Sequence, residues 1–527
     1  MAEEKKSRLF ALKPIIERWP AVSKPEGHVS FRTKILWTVA CLILYYILTQ
    51  IMIFGLAGNV IDLFAGYRFI MAGASGSIMH LGIGPIVTAS IILQLFVGAK
   101  IIKLDLTKQE DKGIYQGTQK ILVIVMILVE AVPQILGYLR PSESVELGTG
   151  LYGLVGSGWA EVIIIVQLFM GAMLVFFMDE LISKWGIGSG ISLFIAAGVS
   201  ESIFYGLFNW LPASSKAVVS LTNPPAGVIP GTYYMATQMT LSDMMSWGYQ
   251  RILIDQANSV IALIGTIFIF FIVVYAESSR IELPLSHEKV RGARGRYPIR
   301  LIYASNIPVI LMAALLANIN MFAFLFYTNG WNPVSGATSG LSSIPFIGHQ
   351  SWIGAYDITS NSPSSPLYGG AWYLSNPNGV NSWLMPILAG GYGGHVAWQF
   401  GLKVIIYLAV MIIGSILFAK FWIETTDMGP SAVAKQIQNS GMQIPGFRRD
   451  PRILAKVLER YIPVVTVIGG ASVGALAAFA DMVGTLGNAS GTGVLLTVGI
   501  MIQLYEQIAK EQAMEMHPVL RGFFGNE

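Results

Sequence analysis

The chain has 527 residues, 54% hydrophobic and 12% charged, with a formal net charge of +4 and a mean hydropathy of +0.59. Soluble domains carry about 25% charged residues, so a large water-soluble domain is excluded and a polytopic membrane protein is indicated. The single cysteine, Cys41, sits inside an apolar run, which excludes a disulfide framework and a cysteine metal site.

In chain order, residues 1–34 are too polar for a cleavable signal, and the first apolar run, 35–57, has the length of a span. Within this leader, RLFALKPIIERW reads as a short amphipathic helix broken at Pro14 and lying on the membrane surface. Residues 58–77 are Gly/Ser-rich, carry Asp62 and Arg68, and run into GSIMHLGIGPIVTASIILQLF at 76–96. A helical span needs about 20 apolar residues, a length this stretch reaches only by counting Ser77, His80 and its glycines. Irregular backbone survives at membrane depth only inside protein or along a watery cavity. The expected arrangement is a re-entrant piece over 58–77, then a half-broken span over 78–99.

Further apolar runs follow at 121–139, 160–178, 186–208, 257–276, 301–327, 402–422, 462–480 and 487–508, which brings the count to ten spans. With the N-terminus in the cytoplasm, the cytoplasmic segments 1–34, 100–120, 180–185, 277–300, 420–460 and 509–527 hold 29 of the 34 Lys and Arg residues. The long external stretch 328–401 holds none. That asymmetry is the positive-inside pattern, and one span more or fewer would scramble it. Ten spans divide into five and five, and an odd number per half makes the halves run in opposite senses, an architecture of transport proteins. The fold class expected is therefore an all-α polytopic membrane protein with ten transmembrane helices in two inverted five-helix halves. The organisation expected is a cytoplasmic amphipathic segment 1–34, a first half 35–209, an external loop 210–256, a second half 257–508 that includes the external loop 328–401, and a cytoplasmic tail 509–527. A loop as long as 328–401 is either functional or a packed cap.

Ile83 and Val87 lie four apart after the break in the second span, and Ile191 and Ile195 lie four apart after GIGSG in the fifth. This spacing puts each pair on one helix face. Packing or lipid contact is the ordinary role of such residues; the shared Gly-rich approach, which lets backbones come close, sets these apart. Glu130 lies mid-span in the third helix, a position that marks either function or a structural bond to a neighbouring helix. Thr88 and Asn318 are polar at similar depth and could meet it, and Asn306-Ile307-Pro308 loosens the start of the seventh span. The cytoplasmic loops 277–300 and 439–460 are rich in arginine and punctuated by Gly and Pro. A solvated face is the usual meaning of such runs; two long basic hairpins also suit docking to a polyanion such as RNA. His287-Glu288 is not a zinc motif, because Arg291 stands where a second His would be needed. With no P-loop, Gly-x-Ser-x-Gly motif or metal cluster in view, no catalytic residue, metal or cofactor is expected. The competing reading is an inverted-repeat secondary transporter for a small solute, which needs ionisable residues at the midplane, where Glu130 alone is available.

GIGPIVTASIILQLF, KWGIGSGISLFI, ELPLSHEKVRG, YPIRLIYASNIPVILMAALLAN, AKQIQNSGMQIPGFRRDPR and LERYIPVVTVIGGASVGALAAFAD stand in this order along the chain. Together they resemble the SecY family, the large pore subunit of the protein translocase, in its archaeal or eukaryote-like form. The resemblance covers nearly the whole chain, and the departure is the external stretch 328–401, which looks expanded. It implies a polypeptide-conducting channel without catalytic activity, shaped as an hourglass, closed outside by a re-entrant plug and narrowed by an apolar ring. By motif position the ring takes Ile83, Val87, Ile191, Ile195, Ile310 and Leu496, with Leu495 adjacent to the last. The plug runs from about Asp62 through Leu63, Phe64 and Arg68 to Ser75. Thr88, Glu130 and Asn318 fall at a lateral gate between the second and third spans and the seventh and eighth. Arg291, Arg294, Arg296, Arg448 and Arg449 would meet ribosomal RNA at the tunnel exit. The partners implied are SecE/gamma-type and beta-type small subunits, the ribosome, nascent polypeptides and the lipid bilayer, in the plasma membrane.

Overall fold

The computed structural model describes residues 8–516 except 19, 28, 57–67, 100, 103, 105–107, 138, 140, 142–156, 213–217, 257, 288–293, 301–305, 329–351, 357–365, 427, 440–441, 444–450 and 488. The spanning elements are α1 (Phe31–Gln50), α2 (Gly84–Gly98), α3 (Gln109–Gly137), α4 (Ser157–Trp185) and α5 (Gly190–Phe208) in the first half. The second half holds α6 (Val260–Ser278), α7 (Ile307–Thr328), α8 (Ala397–Thr425), α9 (Pro451–Val483) and α10 (Gly491–Met516). Among the described residues, nine of these are long and apolar enough to cross a membrane. The chain is a multi-pass membrane protein. The exception is α2, whose 15 residues reach about 22 Å at 1.5 Å per residue, short of a hydrocarbon core of roughly 30 Å. Residues before it complete the passage as turns, as irregular backbone buried in protein can.

Each half closes on itself. In the first, α1 packs on α4, α2 on α3, α3 on α4 and α4 on α5; in the second, α7 packs on α8, α8 on α9, α9 on α10 and α10 on α6. The halves then meet along two seams, α5 against α10 and α2 against α7 and α8.

Several helices outrun their apolar stretches. α3 begins at Gln109, with Glu110 and Asp111 in its first turn, and α9 begins at Pro451. Hydropathy marks only the part of a helix that sits in lipid, so these polar turns had no signal. The leader is a 3-10 turn, Arg8–Leu12, followed by a short helix, Lys13–Glu17. Pro14 lies in the first turn of that helix, so it starts the helix rather than breaking it; the first turn needs no N–H from it. The segment packs on α3, where a Cβ on Gly117 would stand 2.2 Å from Ile16 Cγ2. Further on, Val22 N–H donates to Glu180 Oε2 at 3.2 Å, and Glu180 also pairs with Lys120 at 2.5 Å and Lys184 at 2.8 Å.

Besides the helices there is a small sheet that composition did not signal. Strand β1 (Arg280–His287) pairs antiparallel with β2 (Arg294–Arg300), and its far end pairs with Met442–Gln443. The segments expected to be external have regular structure where described. Residues 228–238 form a helix within the expected loop 210–256. In the stretch 366–401, Trp372 stacks on His395 at 3.9 Å, and Lys403 of α8 lies over Trp372 at 4.8 Å. Trp383 Nε1 donates to Met482 O at 2.9 Å, which ties this layer to the end of α9. The described part of that stretch is a packed cap.

Candidate functional site

The apolar residues singled out in four different helices all belong to the core, and three of them meet at one cavity. Ile83, Val87, Ile195, Ile310 and Leu496 are buried in one cluster, with Ile191 half-buried against it. Val87, Ile191 and Ile310 form part of the wall of a cavity of about 260 Å³, whose polar lining includes Ser90, Gln94 and Gln119. Branched apolar side chains offer a moving polypeptide no hydrogen bond to hold it and exclude water when it is absent, as hydrophobic gates do.

The start of α2 is built on a close backbone approach. Ile83 N–H donates to Met71 O at 2.7 Å. At Gly82, with φ +52, a Cβ would stand 1.9 Å from Met71 O, so only glycine fits. The short helix Arg68–Met71 therefore backs directly onto α2, and its other neighbours are α5 and α7. Asp62, Leu63 and Phe64 lie outside the described residues. Arg68 Nη1 donates to His80 O at 3.0 Å, and Tyr45 O–H of α1 donates to Ala72 O at 2.5 Å. Ser75 Oγ is buried and has no hydrogen-bond partner among the described residues.

Thr88, Glu130 and Asn318 also come together, from α2, α3 and α7. Asn318 Nδ2 donates to Thr88 Oγ1 at 3.0 Å and to Ala314 O at 3.0 Å, while the Thr88 hydroxyl donates to Gly84 O at 2.9 Å. Glu130 is 2% exposed and faces Thr88. Its Oε1 finds no hydrogen-bond partner among the described residues. One turn along, Gln134 Nε2 of α3 reaches Met321 Sδ of α7 at 3.8 Å. These contacts bridge the α2/α3 and α7/α8 pairs across the seam between the halves.

The two basic loops, far apart in sequence, are joined by backbone pairing: Ser286 opposes Gln443 and His287 opposes Met442. Arg294 and Arg296 are on β2, opposite Ser286 and Pro284. Arg291, Arg448 and Arg449 lie outside the described residues. The root of the hairpin is held to α10, where Glu506 pairs with both Arg280 at 3.2 Å and Arg300.

Two carboxylates, one half-buried and one buried, escaped the sequence reading. Asp179 Oδ1 of α4 accepts the Ile191 N–H at 3.0 Å, and Asp481 Oδ1 of α9 accepts the Thr492 N–H at 2.8 Å. Glu130 is thus not alone among buried ionisable residues; Glu277, Lys403 and Asp481 join it, toward span ends. The signal was present. An aspartate near the end of a span precedes a Ser-Gly pair, Ser189-Gly190 or Ser490-Gly491, that opens the next. No group of three or more potential metal ligands occurs among the described residues.

Comparison with known proteins places this geometry. A family model described as SecY matches residues 77–505, and one described as the plug domain of Sec61p matches residues 43–76. The chain belongs to the SecY family. It is 45% identical to the protein translocase subunit SecY of Archaeoglobus fulgidus, over 99% of both chains. It is also 45% identical to that of Haloferax volcanii, over 98% of this chain and 99% of the relative. A solved structure described as "The structure of a protein conducting channel" matches with a TM-score of 0.73 and 36% identity, covering 96% of this chain and 98% of that one. "Sec61 in the Canine ribosome-channel complex from the endoplasmic reticulum" matches with a TM-score of 0.70 and 36% identity over the same shares. Membership in SecY accounts for the two five-helix halves and for the plug segment between α1 and α2.

Proposed function

We propose that this chain is the pore-forming subunit of a protein translocase, which conducts unfolded polypeptides across the membrane and releases apolar segments sideways into lipid. The observation that carries this reading is that Val87, Ile191 and Ile310, branched apolar residues from both halves, line one cavity. Ile83, Val87, Ile191, Ile195, Ile310 and Leu496 form the ring that grips the chain weakly. The segment from Asp62 to Ser75 is the plug. Thr88, Glu130 and Asn318 latch the lateral gate. Sorting at that gate follows transfer energies. Leu, Ile, Phe and Val favour lipid by about 0.3 to 0.6 kcal/mol each, and Asp, Lys or Arg oppose it by about 2.5 to 3.5.

The basic loops receive the ribosome, as the Sec61 relative solved in a ribosome-channel complex supports. SecE/gamma-type and beta-type subunits complete the channel. The protein sits in the cell membrane with both termini in the cytoplasm, and it has no catalytic activity of its own. A solute transporter finds no support, since the relatives it matches are translocase subunits. The test is reconstitution with the two small subunits in proteoliposomes. A secretory polypeptide should become protease-protected; solute uptake without polypeptide protection would refute the reading.

A further inference from the structure

The two aspartates missed by the sequence reading occupy equivalent places in the two halves. α5 opens at Gly190 and α10 at Gly491, each the fifth helix of its half. In each, the residue after the glycine gives its N–H to an aspartate on the preceding helix: Ile191 to Asp179 at 3.0 Å, Thr492 to Asp481 at 2.8 Å. Asp481 is 1% exposed, and its Oδ2 also accepts the hydroxyls of Thr492 at 2.7 Å and of Tyr407 at 2.8 Å. Both glycines press against the aspartate's own backbone. A Cβ on Gly190 would stand 2.6 Å from Asp179 Cα, and one on Gly491 would stand 2.5 Å from Asp481 N. The halves run in opposite senses, yet the arrangement is the same.

We propose that Asp179 and Asp481 are positioning residues for the apolar constriction, each orienting the fifth helix of its half. The physical case rests on the first turn of a helix, whose N–H groups have no partner within the helix. A carboxylate there satisfies one of them and complements the positive end of the helix dipole. Because the carboxylate belongs to the preceding span, it also fixes the rotation of the new helix. Ile195 lies five residues after Gly190, and Leu496 lies five residues after Gly491. Each therefore sits about one turn beyond the anchored N–H, too close for its direction to be independent of the anchor.

This inference rests on the constriction reading of the proposed function, and the experiment separates the two. The complex with its small subunits is reconstituted in planar bilayers, and resting ion conductance is compared for Asp179→Ala, Asp179→Asn, Asp481→Ala and Asp481→Asn. Loss of a helix cap shifts a local equilibrium by about fivefold, so the alanine variants should raise resting conductance by about that factor. The asparagine variants, which keep an oxygen acceptor, should stay near wild type. In a Cys41→Ala background, Ile195→Cys and Leu496→Cys should cross-link to a stalled translocating chain. Adding Asp481→Ala should speed the reaction of Leu496→Cys with a water-soluble thiol reagent.

If neither Ile195→Cys nor Leu496→Cys meets the chain, the constriction reading itself fails. If they do, but the alanine variants conduct and react as wild type does, only the positioning role fails. Asparagine variants as leaky as alanine, with equal loss of thermal stability, mean a general structural role and overturn the proposal. If Asp481→Ala does not assemble, Asp179→Ala against Asp179→Asn is read in its place, and unchanged conductance there also overturns it.

Discussion

The hydrogen bond from Asn318 to Thr88 is the most direct polar link between α7 and α2, and Asn318→Leu removes it. The cost can be worked from the geometry. Both residues are buried, at 6% and 9% exposure, so water does not replace the bond. The Thr88 hydroxyl keeps its acceptor, Gly84 O, so no buried donor is orphaned and only the pair interaction disappears. Interhelical bonds of this kind contribute about 0.6 kcal/mol on average and up to about 1.7 in membranes. At about 1.4 kcal/mol per factor of ten, the parted seam gains roughly 3- to 16-fold. A leucine in the crossing segment contributes about 0.5 kcal/mol toward lipid. The hydrophobicity threshold for insertion should therefore fall by about one to three leucines. The assay is membrane insertion of a graded Leu/Ala segment series through the reconstituted complex. Asn318→Ala serves as the version without new apolar contact, and Thr88→Val completes a double-mutant cycle. Equal shifts from either single change, with no further shift in the double, identify the bond as the cause. A threshold identical to wild type across the series would refute the latch.

Deleting residues 62–75 should leave an assembled complex with raised resting ion conductance; conductance equal to wild type in planar bilayers would reject the plug assignment. Replacing Ile83, Ile191 and Ile310 together by Gly should wet the constriction, and Ile191→Cys should cross-link to a stalled chain; if only lipid-soluble probes reach that cysteine, it faces lipid. Arg291→Glu and Arg448→Glu should each weaken ribosome co-sedimentation and flatten its salt dependence. The flattening should be roughly 0.7 to 0.9 log units of affinity per log unit of salt for each phosphate the variant no longer neutralises. Binding unchanged at every salt concentration would leave these arginines with a topological role alone.

Much of this was legible in the sequence, for identifiable reasons. Span number follows from apolar run length, because a helix needs about 20 apolar residues to cross the hydrocarbon core. The defect in the second span was legible because Gly82 and Pro85 leave too few helical residues in α2. Pairings between distant segments were not. Nothing local in Met442-Gln443 announces a third strand beside β1, since two residues carry no periodicity and their partner lies more than a hundred residues away. Asp179 and Asp481 were passed over for a related reason. An aspartate at a span end reads as the point where the chain meets water, and only the fold turns it back onto the next helix.

The two seams between the halves differ in kind, and the difference says which one parts. Where α5 meets the turn that leads into α10, backbone meets backbone. A Cβ on Gly206 would stand 2.6 Å from Gly487 N, one on Gly487 would stand 2.2 Å from Ser202 O, and Gly487 N–H donates to Asn258 Oδ1 at 2.6 Å. Within the second half, α9 meets α8 just as closely through Gly470 and Gly474, the latter 2.7 Å by its Cβ from Met411 O. Small residues of this sort let backbones approach and pack densely, so opening there forfeits much dispersion attraction at once. Across the other seam the contacts run through side chains: Asn318 to Thr88, Gln134 to Met321, and the Phe421 ring against Gly98. Side chains can repack or trade partners with a passing polypeptide; apposed backbones cannot. The α2–α7 side should therefore open while α5–α10 acts as the hinge. Bridging Thr88→Cys to Asn318→Cys with a bifunctional thiol reagent, in a Cys41→Ala background, should stop lateral release of apolar segments. Release that continues at the wild-type rate with the bridge in place would put the opening elsewhere.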